Sequence, residues 1–167
     1  ANFVKPTVSL DDWTYGENAK EENPSVAGPG SKGYATPTYT YYVNGSKDAL
    51  SAKPTNAGSY KVVATWAATG NLPQLTAEDT FTINKRNVTF TGKSDTKTYN
   101  GQEQQVTGYD VTGLVEKQVA TLEASAKGTV AGEHTGTITD KADVVIKDAE
   151  GNVTTNNYNI TTEPGAL

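Results

Sequence analysis

Lys53 to Thr65 reads K-P-T-N-A-G-S-Y-K-V-V-A-T, and Thr129 to Thr139 reads T-V-A-G-E-H-T-G-T-I-T. The second stretch is a worn copy of the first. Thr55-Asn56-Ala57-Gly58-Ser59-Tyr60 lines up with Thr129-Val130-Ala131-Gly132-Glu133-His134. After the aligned glycine the first copy alternates, so Tyr60, Val62, Ala64 and Trp66 fall on one side of an extended chain.

A polar turn residue, a glycine and a tyrosine at alternate positions, followed by a buried strand, is the spacing of the tyrosine corner in immunoglobulin-type sandwiches. There the ring packs inward and its hydroxyl bonds to upstream backbone. The echo therefore predicts one structural corner built twice, from Gly58 and Tyr60 and from Gly132 and His134. The chain's single histidine could serve as a base or a metal ligand. The repeat alignment already accounts for its position as a corner residue.

Outward from the corner, the two halves keep their order. Trp13-Thr14-Tyr15-Gly16 matches Lys97-Thr98-Tyr99-Asn100-Gly101, and Asn71-Leu72 matches Asn157-Tyr158. Phe81 follows Asn71 by ten residues, as Leu167 follows Asn157. Preserved order with drifting loop lengths predicts two tandem domains, residues 1–86 and 87–167. The junction Asn84-Lys85-Arg86-Asn87 holds no glycine, proline or serine run, which predicts a stiff rod and not a tethered pair. Measured against Phe81-Thr82-Ile83, the last strand of the second domain is expected to stop short, as in a piece of a longer protein.

Strand signals dominate elsewhere. Tyr39, Tyr41 and Val43 share a face ahead of Asn44-Gly45, a strong hairpin-turn dipeptide. Phe81 and Ile83 form another face, and Asp148 to Asn152 reads as a five-residue hairpin loop. Leu114, Val115, Gln118, Val119 and Leu122 are spaced for a short helix, while Val119 to Ala124 suits a strand equally. The fold class expected is all-β, two tandem Ig-like sandwich repeats; the alternative is a β-grasp-like α+β fold for one or both, especially 87–167.

Composition narrows the function. With no cysteine and no methionine, disulfides, thiolate metal sites and cysteine nucleophiles are excluded, and the most oxidisable side chains are missing. The net charge of −5 sits in the second half and no basic stripe exists, so no nucleic-acid partner is expected. No apolar run is long enough to span a bilayer, and no direct membrane contact is expected.

Asp11-Asp12, Glu21-Glu22 and Glu78-Asp79 are neighbours in sequence, so on strands they point to opposite faces, not across a cleft. No catalytic residue, enzyme activity, metal or cofactor is assigned. Asp140, Asp143, Asp148, Glu150 and Asn152 offer oxygen ligands but lack a calcium-loop register, and a hairpin turn explains them. Among the aromatics, Tyr39, Tyr41, Tyr60 and Trp66 fit inward faces. Trp13, Tyr34 and Tyr42 remain as candidate platforms for a glycan or mucin chain.

Thr14-Tyr15-Gly16-Glu17, Ala57-Gly58-Ser59-Tyr60 and the closing Phe81-Thr82-Ile83-Asn84-Lys85 resemble the MBG repeats that carry a Tyr-Gly-x motif. Thr98-Tyr99-Asn100-Gly101, Val106-Thr107-Gly108-Tyr109, Asn157-Tyr158-Asn159-Ile160 and Gly165-Ala166-Leu167 resemble the related YDG-type repeats, with asparagine in place of the usual aspartate. Both recur in tandem in large bacterial surface proteins. The resemblance implies a non-catalytic stalk module of an extracellular, wall-attached adhesin, with adjacent repeats as its neighbours and no catalytic residue carried over. It also implies a possible Lys–Asn crosslink between first and last strands, with Lys93 and Asn157 or Asn159 as the pair and Asp110 beside them.

Overall fold

In the computed structural model, which describes residues 4–167, the chain is all-β and divides into two compact units, residues 1–84 and 85–167. No α-helix occurs among the described residues; three single-turn 3-10 segments are the only helical pieces.

The first unit contains β1 (Lys5–Ser9), β2 (Trp13–Thr14), β3 (Asn23–Ala27), β4 (Thr38–Val43), β5 (Gly58–Trp66) and β6 (Leu75–Asn84). β1 and β3 pair antiparallel, and the other four form a sheet in the order β2-β6-β5-β4. β5 is the central strand. Its alternation delivers Tyr60, Val62, Ala64 and Trp66 to the interior, as the period-2 pattern requires. Phe81 and Ile83 of β6 join them.

Phe81 is the hub of this core. It stacks on Trp13 at 5.4 Å and on Tyr60 at 5.6 Å, and Tyr41 meets it edge-on at 6.4 Å. Val43, expected on the same inward face as Tyr41, is 47% exposed. The strand has ended there: Ser46 N–H closes onto the Val43 carbonyl around Asn44-Gly45, lifting the chain off the core.

The second unit contains β7 (Arg86–Gly92), β8 (Gln104–Thr107), β9 (Tyr109–Thr112), β10 (Val119–Thr121), β11 (Ala124–Gly128), β12 (Thr137–Ile138), β13 (Val145–Lys147) and β14 (Tyr158–Glu163). They form sheets β14-β7-β9, β12-β11-β8 and β10-β13 around Val88, Phe90 and Ile146, each at most 1% exposed. The segment open between helix and strand becomes a turn followed by β10 and β11. Val119 is 65% exposed while Ala120, Ala124 and Ala126 are buried, so the helical stripe is never used. No helix of the second unit supports the α+β alternative.

The Asp148–Asn152 loop forms as read from the sequence. Lys147 bridges Val153, and the Asp148 carboxylate accepts from the backbone of Glu150 and Asn152. Desolvation in the turn works to raise the Asp148 pKa, but the bonds from Asn152 and Glu150 together outweigh it and hold the carboxyl below its ordinary value. Of the oxygens considered as calcium ligands, those of Asp148 are taken up by the turn, and Asp140 Oδ1 accepts from Ala142 N–H.

Candidate functional site

The echoed motif closes in the same way in both units. Tyr60 donates its hydroxyl to the Asn56 carbonyl at 2.8 Å, and His134 Nε2 lies 2.6 Å from the Val130 carbonyl. Both reach back four residues, and a carbonyl can only accept, so Nε2 carries the proton. Tyr60 lies opposite Phe81 in the β5–β6 ladder, while His134 and Leu167 exchange both backbone bonds at 2.9 Å. The aligned pairs are therefore also spatial pairs.

The two glycines serve different ends. A Cβ on Gly58 would press within 3.3 Å of the Tyr60 ring, whereas Gly132 has open space but sits at φ 124°. One keeps room for the ring; the other keeps a conformation that side chains resist.

Each of the three aromatic candidates is engaged by the chain's own groups. Trp13 is 4% exposed, stacked on Phe81 with Lys53 Nζ 5.7 Å from its centroid. Tyr42 points outward, but Lys61 Nζ sits 5.0 Å from its centroid, because the two are register partners across β4 and β5. Tyr34 is half-buried against the Val8, Ala64 and Trp66 cluster, and its hydroxyl donates to the Pro73 carbonyl at 2.7 Å. Trp13 cannot act as a surface platform where it lies.

A polar cluster that the sequence reading does not single out sits beside this core. Glu22 accepts from the Tyr41 hydroxyl and from Lys53 Nζ at 2.8 Å, with only 9% of its side chain exposed. Lys53 Nζ also donates to the Lys20 carbonyl at 2.6 Å. The segment Lys20–Glu22 is thereby strapped onto the sheet. Lys53 opens the echoed stretch, yet nothing in one sequence links it to a carboxylate 31 residues earlier.

Burial works to raise the Glu22 pKa, but the Lys53 and Tyr41 hydrogen bonds, with the Lys53 charge, outweigh it and leave a net lowering from 4.5. Burial first, then Glu22, pushes the Tyr41 hydroxyl well up, so it stays a donor. A lowered folded-state pKa means the contribution is complete above pH 4.5 and fades as pH falls through the folded value. Denaturant midpoints followed by tryptophan emission should hold level down to that pH and drop below it. Glu22→Gln should flatten that drop, and an unchanged slope would show that Glu22 is not its source.

Two of the remaining carboxylate candidates are structural fasteners. Asp12 accepts from Thr82 N–H at 2.8 Å and Asp79 from Leu10 N–H at 2.9 Å, tying the first strands to β6. Among the described residues no group of three metal-ligating side chains converges. The Lys–Asn crosslink does not fit the register. Asn159 lies opposite Asn87, to whose Oδ1 it donates at 3.1 Å, six residues before Lys93. At about 3.3 Å per residue that is roughly 20 Å. Lys93 pairs with Asp110 instead, at 3.1 Å.

Compared with known proteins, the chain matches no family model, no curated protein and no solved structure.

Proposed function

We propose that the chain is a pair of non-catalytic spacer modules, two tandem Ig-like repeats in the stalk of a bacterial cell-surface, adhesin-type protein. The observation that carries this reading is that the chain's own groups engage all three aromatic candidates: Trp13 is buried on Phe81, Lys61 lies over Tyr42, and Tyr34 packs on the Val8, Ala64 and Trp66 cluster. The matching corners at Tyr60 and His134 support the repeat, and the motif resemblance supports the surface setting. On this reading the neighbours are further repeats of the same protein, outside the cell and attached to its wall.

A glycan- or mucin-binding role keeps one specific foothold. Tyr34 lines an open groove with Pro24, Val26, Pro37 and Trp66, an apolar wall beside the Ser25 and Thr36 hydroxyls. The test is a glycan and mucin-fragment array followed by tryptophan titration, since Trp66 borders that groove. The spacer reading expects no saturable response. Saturable binding that disappears in Tyr34→Ala would replace it with the binding module.

A further inference from the structure

The second unit begins and ends with strands that lie side by side and run the same way. β7 and β14 pair in parallel through six register positions, from Arg86 opposite Tyr158 to Thr91 opposite Glu163. The contact continues past the ladder. A Cβ on Gly92 would stand 2.6 Å from the Gly165 nitrogen, so the two backbones touch there. Ala166 N–H donates to Ser94 Oγ at 3.0 Å, and Asp95 N–H to the Ala166 carbonyl at 3.1 Å. In the first unit the parallel pairing between β2 and β6 covers only Trp13 opposite Ile83 and Thr14 opposite Asn84.

We propose that this pairing makes the second unit a shear clamp, a mechanical bearing element that resists tension applied through its two chain ends. The idea rests on the spacer reading for its biological use, but not for its physics. Tension along the chain pulls the start of β7 one way and the end of β14 the other. In a parallel pair those pulls slide one strand along the other, so all six positions are loaded together. Pulling both strands from the same end would open them one position at a time. The evenly spaced bonds of a parallel ladder share the load. Val88 and Phe90, at 1% and 0% exposure, keep water from exchanging into that ladder from the core side. Resistance to force is a matter of unfolding rate, and the collective step sets the higher barrier.

The absence of cysteine makes the test direct, because introduced thiols are unique attachment points. In the full chain, Lys85→Cys with Glu163→Cys loads the pair in shear. Lys85→Cys with Asn156→Cys loads it from one end; all three positions are exposed. Single-molecule pulling at one loading rate should give a shear rupture force at least about twice the same-end force. Both variants should melt with the parent protein, so that direction alone differs; Pro164→Cys serves as the second attachment if Glu163→Cys melts early. Equal forces in the two directions overturn the clamp and leave the spacer reading standing. Saturable glycan binding would remove the spacer reading and leave the clamp standing.

Discussion

Phe81→Ala is expected to cost the first unit about 4 kcal/mol, the range for deleting a buried phenylalanine. The side chain is 2% exposed, and three rings lean on it from different directions. Trp13 and Tyr60 stack on it and Tyr41 meets it edge-on, so its loss leaves a void that no single neighbour can fill. Aromatic pairs add about 0.5–1.5 kcal/mol each beyond area burial, which places this site toward the costly end. A domain of this size has roughly 4–12 kcal/mol in all, so the variant should stand close to unfolding at room temperature. The readout is specific, because both tryptophans, Trp13 and Trp66, lie in this unit. A denaturant midpoint by tryptophan emission that barely moves would show that the ring cluster is not what holds the sheet.

Gly165→Ala is expected to cost the second unit about 3 kcal/mol, at the upper end for overpacking. A Cβ there would lie 2.2 Å from the Lys93 carbonyl oxygen and 2.5 Å from that of Gly92. Both obstacles are backbone, so no side chain can swing away and the strands themselves must part. What lies beyond would be lost with them: the Gly136 N–H bond to the Gly165 carbonyl at 2.7 Å and the His134–Leu167 exchange. Thermal melting followed by far-ultraviolet circular dichroism should show the loss, with tryptophan emission reporting the first unit unchanged. A melt identical to the parent's would mean that the first and last strands of this unit do not approach so closely.

What the sequence disclosed was local. The alternation from Tyr60 to Trp66, the Asn44-Gly45 turn, the Asp148–Asn152 loop and the echoed corner all depend on residues within a few positions of one another. The fate of the aromatic candidates depended on partners far along the chain. Trp13 lies in a two-residue strand, too short to show a period, and its burial is decided by Phe81, 68 residues later. Tyr42 does face outward, as its phase implies, but cross-strand register places Lys61 over its ring. The Glu22–Lys53–Tyr41 strap was hidden for the same reason, and Val119 misled because apolar spacing alone does not say which residues a strand buries.

Side chains that a binding surface would present are instead used to hold this backbone in place. Acrylamide quenching of Trp13, isolated in a Trp66→Phe variant, tests that most directly, because this ring is a candidate platform that the structure places inside the core. The structure requires emission well to the blue of the unfolded chain and strong protection from the quencher. Emission and quenching equal to those of the unfolded chain, in a protein whose circular dichroism remains native, would contradict it.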